Sequence, residues 1–263
     1  MAVAYDSAPT AGGVDFAVTT VSSPATGWTI GSGSDRAVIV GLAFYTDITG
    51  DSFTVTCSGA TCSAITGAAL WATGGGQARG AKLFSGVAPA SGTNKQATAS
   101  WSTSAAYVAI SAVVATGVNQ STPVANGTTA SGATPCSVVV TSATNDLTVS
   151  CAMDDQGGTA PTSNQTRVTT ESGFAMDYAA GASSVTHTWT SANAQFTLAG
   201  ASFTAASSGT QIAMPLGAVA TTGALEVIAR DIGAPLGAAD LAGASPALLI
   251  TMANDARVVI RQA

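Results

Sequence analysis

The chain has 263 residues and a net charge of −6, from 14 acidic and 8 basic residues, and only 8% of its residues are charged. An average protein carries about 25%, so Thr, Ser, Asn and Gly must cover this surface, and too few long charged residues remain to build amphipathic helices. Arg36, Arg79, Lys82, Lys95 and Arg167 are scattered singly, which argues against the cationic footprint that nucleic acid requires.

The first ten residues, MAVAYDSAPT, hold neither a basic segment nor an apolar one. They read as lacking a secretory leader, a lipid anchor or a membrane span, with a mature form already freed of its leader as the alternative. Asp15–Val21 predicts a first short strand. Trp28 and Ile30 lead into the polar turn Gly31–Asp35. In Arg36–Tyr45, RAVIVGLAFY, the residues Val38, Val40, Leu42 and Phe44 share one parity and the smaller Ala37, Ile39, Gly41 and Ala43 the other. A period of two with apolar residues on both faces predicts a strand buried on both sides.

Asp47–Asp51 reads as a loop. Phe53, Val55 and Cys57 alternate with polar residues, and Cys57–Cys62 reads as a tight turn. Ala68–Trp71 and Lys82–Val87 flank Gly74–Gly76, which lacks the spacing of a phosphate-binding loop. Ala97, Ala99 and Trp101 mark a strand with one wet face. Tyr107–Val118 is the longest apolar run and predicts a central strand, with Val108, Ile110, Ala112 and Val114 on one parity and Tyr107, Ala109, Val113 and Ala115 on the other. Its Ser and Thr content and its length of about twelve residues exclude a helical bilayer span. Gly117–Pro123 reads as a turn.

Thr122–Pro135 reads as a polar connection. Cys136–Thr141 and Asp146–Met153 read as a hairpin around Ser142–Asn145, followed by a loop to Asn164 and by strands at Phe174–Tyr178, Ser184–Thr190 and Gln195–Phe203. Turn signals every eight to twelve residues predict an all-β fold: a two-sheet antiparallel β-sandwich, jelly-roll-like, over residues 1–205. Ala205–Gly209 reads as a linker. Beyond it Leu225–Ile232 and Ala256–Gln262 interleave charges, so 206–263 reads as a small C-terminal β module or arm for attachment or oligomerisation. Arg230, Arg257 and Arg261 are its attachment candidates.

Four segments, GSGSDRAVIVGL (31–42), LFSGVAPASGT (83–93), GVNQSTPV (117–124) and SATNDLTVSC (142–151), together resemble β-sandwich domains of structural proteins from tailed bacteriophages and of large bacterial surface proteins. The resemblance spans about residues 1–205 and rests on turn-and-strand texture. It implies a virion component, with no catalytic residue to carry over.

The residues that could carry chemistry are few. A four-residue turn at 142–145 sets Cys136 opposite Cys151, and Cys57 and Cys62 face each other across 58–61; opposed strand positions suit disulfides. Two disulfides are the preferred reading, against two pairs of buried thiols or a metal site, for which neither pair has a nearby His or further Cys. His187 is the only histidine. No Gly-x-Ser-x-Gly accompanies it, so a packed structural histidine is expected over a nucleophile triad. Asp154–Asp155 and Asp47/Asp51 sit in turns where oxygen ligands could gather around Ca²⁺, though solvated turn carboxylates are the plainer reading. Glu occurs only at 171 and 226, which lowers the case for paired glycosidase carboxylates. Trp28, Trp71, Trp101 and Trp189 fit core packing better than a sugar platform.

The expectation is therefore a non-enzymatic phage structural protein needing no cofactor: a capsid decoration, cement or head-fibre protein on the outside of the virion, assembled in the host cytoplasm. Its partners would be other virion proteins, the major capsid protein first, and further copies of itself, with a trimer suggested by family analogy; neither nucleic acid nor membrane is expected. A tail or fibre component and a carbohydrate-binding adhesion module are the alternatives.

Overall fold

In the computed structural model the described residues are 2–73, 78–155, 160–192, 195–206, 225–228 and 259–262. They divide between two compact units, Met1–Ala206 and Ser207–Ala263. Every regular element among them is a strand, and every pairing is antiparallel.

The first unit begins with β1 (Ala4–Ser7), β2 (Gly13–Asp15), β3 (Val18–Ile30), β4 (Ala37–Phe44), β5 (Thr54–Cys57), β6 (Ala60–Ala72), β7 (Arg79–Val87), β8 (Gly92–Ala105) and β9 (Val108–Thr116). These nine form one sheet in the order β1-β9-β4-β7-β6-β5-β8-β3, with β2 also on β9. The sheet curls on itself because β6 pairs first with β5 and then with β7, with a register break between Ala64 and Ala69 around Gly67 at φ 79°. A break of this kind bends a strand and sharpens its twist.

The chain continues through β10 (Val124–Ala133), β11 (Cys136–Thr141), β12 (Leu147–Asp154), β13 (Thr162–Ser163), β14 (Thr166–Glu171), β15 (Phe174–Ala180), β16 (Ser184–Thr190) and β17 (Gln195–Phe203). A five-stranded sheet runs β10-β17-β12-β15-β14, and a three-stranded one β11-β16-β13.

Three apolar layers follow from strand parity. Val38, Val40, Leu42 and Phe44 of β4 and Val108, Ile110, Ala112 and Val114 of β9 fill the inside of the curl, with Val55, Ala97, Ala99 and Trp101. The opposite parities, Ala37, Ile39 and Ala43 with Ala109, Val113 and Ala115, pack against Leu147, Val149, Cys151 and Met153 of β12 and Ala199, Ala201 and Phe203 of β17. The far side of the five-stranded sheet meets the three-stranded one through Cys136, Val138, Ala152, Ala175, Trp189, Phe196 and Leu198. The β-sandwich packing expected from the sequence is thus stacked more than once; β4 and β12 are buried at every residue, and β9 at every residue but Thr116. Burying each Val, Leu, Ile or Phe side chain in such layers contributes about 1.5–3 kcal/mol.

Three expectations need correction. Residues 136–141 and 147–154 do not form a hairpin: β11 pairs with β16, Cys136 opposite Trp189, while β12 lies in the five-stranded sheet. The 142–145 turn carries the chain from one layer to another. Cys136 lies in the outer apolar layer and Cys151 in the central one, on the far side of the five-stranded sheet, so no disulfide joins them. At the other pair the turn has two residues, Ser58 (φ 50°) and Gly59 (φ 86°), which sets Cys57 opposite Ala60 and Cys62 opposite Val55. Cys57 and Cys62 are then diagonal neighbours, roughly 7–8 Å apart at Cα, too far for a bridge without backbone movement. All four cysteines are free and buried. Lastly, 124–133 within the expected polar connection is strand β10.

In the second unit, β18 (Leu225–Ile228) pairs with β19 (Val259–Gln262), Glu226 opposite Arg261. Arg230 and Arg257, and the rest of the expected strands at 229–232 and 256–258, lie outside the described residues.

Candidate functional site

A concentration of chemistry-bearing side chains built around His187 lies between the five-stranded and three-stranded sheets. On β12 the residues that alternate with the central-layer apolar set are Thr148, Ser150, Ala152 and Asp154, so two hydroxyls point toward β16. β15 supplies Asp177, β16 supplies His187 and Trp189, and β13 supplies Ser163. His187 Nδ1 lies 2.8 Å from Asp177 Oδ1, and its Nε2 lies 3.0 Å from Thr148 Oγ1. Ser150 Oγ donates to Asp177 Oδ1 at 2.6 Å and accepts from Trp189 Nε1 at 2.9 Å. Ser163 Oγ donates to Asp177 Oδ2, and Thr148 Oγ1 reaches Ala179 O at 3.3 Å.

Hydroxyl, imidazole and carboxylate therefore stand in the order of nucleophile, base and orienter. Access is what such a triad lacks here: Thr148, Asp177 and His187 are each 0% exposed. A surface groove of about 270 Å³ is lined by Ala64–Thr66, Ser85 and Val124–Gly127, none of them in the cluster. With these side chains sealed from solvent, the arrangement is a hydrogen-bonded polar core. It links four strands, and its members close one another's hydrogen bonds away from bulk solvent; a fully paired network of this kind rigidifies a core and specifies its packing. His187 is buried with both ring nitrogens within hydrogen-bonding distance of a partner.

A second buried polar group surrounds Arg79. Burial lowers its pKa, and the charges of Asp155 and Asp154 act in the opposite sense. Arg79 Nη2 donates to Phe196 O at 3.4 Å, Tyr45 Oη donates to Asp154 O at 2.8 Å, and Asp155 Oδ1 accepts from Gln195 N at 2.8 Å. Asp154 and Asp155 are 0% and 4% exposed, so they are interior groups rather than the solvated turn carboxylates of the plainer reading. Asp51 instead staples its loop to β8: Oδ2 accepts from Thr103 N at 2.7 Å and Ser102 Oγ at 3.0 Å. These bonds, the Thr103 N–H first, hold its carboxyl below the usual range. Asp47 Oδ1 caps Thr49. Among the described residues no three His, Cys, Asp or Glu side chains converge as a metal site would require.

The cysteines are chemically quiet. Burial pushes Cys57 up to about 11, and Cys62 and Cys151 up to about 12, so the reactive thiolate is suppressed. Trp28, Trp101 and Trp189 are buried, and Trp71 stacks on Phe44 with centroids 6.1 Å apart. Lys82 is also interior, bonding Thr49 O at 2.9 Å with its Nζ 4.4 Å from the centre of the Phe53 ring. No helix among the described residues is long and apolar enough to cross a membrane.

Sequence reading singled out His187 but not its partners. Asp177, Thr148 and Ser150 carry one detectable signal: each is a polar residue at a parity whose neighbours point inward.

Fold and site together define an all-β, multilayered antiparallel sandwich with sealed polar clusters in its interior. The chain matches no protein-family model, no curated protein and no solved structure.

Proposed function

We propose that this chain is a non-enzymatic structural protein of a tailed-bacteriophage virion, carried on the outside of the capsid as a decoration, cement or head-fibre protein. The observation that carries the reading is the sealing of His187: the chain's only histidine lies at 0% exposure with both ring nitrogens engaged. The residue best suited to acid–base work is thereby spent on holding layers together. A charge-poor body with doubly buried central strands supplies rigidity and shape, which is what a shell-bound protein needs, and the texture of segments 31–42, 83–93, 117–124 and 142–151 supports the same class. In this reading the partners are the major capsid protein and further copies of the chain, and Arg230, Arg257 and Arg261 are candidates for attachment.

Electron microscopy of particles assembled without the protein tests this. Intact heads that have lost surface density are expected. Particles with normal heads and missing or shortened tails would move the protein to the tail, and particles unchanged in every part would remove it from the virion.

A further inference from the structure

We propose that His187 is a proton-accepting site built into the core: it takes up charge inside the folded sandwich, with the Thr148 hydroxyl reversing its hydrogen bond to match. The hydrogens of the cluster can be assigned one at a time. Trp189 Nε1 only donates, so Ser150 Oγ accepts from it at 2.9 Å and sends its own hydrogen to Asp177 Oδ1. Gln165 N donates to Ser163 Oγ at 2.9 Å, so the Ser163 hydrogen goes to Asp177 Oδ2. An ionised carboxylate accepts and never donates, and it is the form that two hydroxyl donors on its two oxygens complement. The hydrogen between Asp177 and His187 therefore sits on Nδ1, 2.8 Å from Oδ1.

Nε2 is the position left to titrate, 3.0 Å from Thr148 Oγ1. A hydroxyl carries one donor and two acceptor sites. While the imidazole is neutral, Thr148 donates to the Nε2 lone pair. When a proton from water binds that lone pair, Nε2–H donates to Thr148 Oγ1, and the Thr148 hydrogen turns to Ala179 O, 3.3 Å away. Both states keep a partner for every hydrogen, and only a hydroxyl rotates. The new charge also falls 2.8 Å from the Asp177 carboxylate, so it cancels a buried charge instead of adding a lone one. A buried histidine without such partners charges only by unfolding, which is a common part of acid denaturation.

The surroundings leave this exchange to Asp177 and Thr148. β11 sets Val138 opposite His187. β12 brings Thr148 and Ser150, with Asp154 farther along the same face, and β13 brings Ser163. On β14 Arg167 lies opposite Asp177 in the ladder but is exposed, its Nη1 donating to Pro161 O at 2.6 Å. Cys136 in this layer and Cys151 in the next carry thiols that burial pushes up, so both are uncharged where a histidine titrates. This inference is independent of the virion assignment, since it concerns the chain alone.

Long-range proton–nitrogen NMR correlation spectra of the full, untagged chain test this, because His187 is the only histidine and both ring-nitrogen signals belong to it. At alkaline pH, Nδ1 is expected to carry hydrogen and Nε2 to be bare. On acidification Nε2 should gain its hydrogen while the backbone amide spectrum stays that of the folded protein. Thr148→Val can neither donate to Nε2 nor accept from it. An unpaired N–H on a charged ring costs more than an unpaired lone pair on a neutral one, so this variant should bind the proton about tenfold more weakly. Thr148→Ser keeps the hydroxyl and should titrate with the parent. The wild-type spectra alone decide the first two points. Hydrogen on Nε2 with Nδ1 bare at alkaline pH overturns the proposal, and so does a ring that stays neutral until the amide spectrum collapses. A folded Thr148→Val chain that titrates with the parent also overturns it, because the hydroxyl then takes no part in the exchange.

Discussion

At the scale of single residues, the polar groups inside the sandwich stabilise it only as complete sets. Removing one member of a buried, hydrogen-bonded charged or polar pair leaves the other desolvated, which costs roughly 3–5 kcal/mol when a charge is stranded. Asp177→Asn and His187→Ala each leave buried polar partners unpaired and should each lower stability by roughly 1–3 kcal/mol or more, read as a shift in urea midpoint at constant m. Thr148→Val removes a single neutral partner and should cost about 1–2 kcal/mol. A double-mutant cycle between His187 and Asp177 should show strong coupling. Losses under about 1 kcal/mol for both single variants would mean that the cluster is hydrated and open.

The thiols give a pH prediction of definite sign. Burial raises Cys62 from 9.0 to about 12 and Cys57 from 9.0 to about 11. The unfolded chain releases these protons at lower pH than the folded one, so the contribution is intact below pH 9 and is lost as pH rises toward the folded values. Stability should fall along an alkaline limb beginning near the ordinary thiol range. At neutral pH a thiol reagent should find four reactive cysteines after denaturation and none before, and a reductant should leave the unfolding midpoint unchanged. A midpoint lowered by reductant would restore the disulfides.

At the scale of elements, what sequence could show was periodicity, and it showed most where both faces of a strand are apolar. The two parities of 36–45 and of 107–118 separate into the residue sets that fill two different layers. What it could not show was the partner of each strand. Val138 and Val140 alternate equally well in a hairpin with β12 or in a separate sheet with β16, so the corner at 142–145 was not legible. Nor was the Ser58–Gly59 turn, which needs two successive residues at positive φ. β10 was missed for a different reason: VANGTTASGA has no alternation, because its small residues answer to the crossing β6 strand. Gly127 has Thr66 O so close that a Cβ there would overlap it, whereas Gly50 has nothing within 4 Å. Gly127→Ala should therefore cost about 1–3 kcal/mol through forced displacement, and Gly50→Ala should be close to neutral. Equal effects on the urea midpoint would mean that the β6–β10 crossing yields without strain.

At the scale of the molecule, all three apolar layers are composed of residues from Val3 to Ala205, and the division between compact units falls at Ala206/Ser207. A body of about 200 residues is large enough to bury some 70% of the surface its unfolded chain exposes, while one of about 57 residues is marginal by itself. The sealed clusters of His187 and Arg79 also draw every partner named for them from the first unit. The 1–206 fragment should thus fold alone, with one cooperative urea transition at the midpoint of the full chain's main transition, and should keep its four thiols unreactive. A fragment that binds a hydrophobic dye, exposes thiols or loses its transition would show that residues 207–263 complete the core, and attachment could then no longer be their separable role.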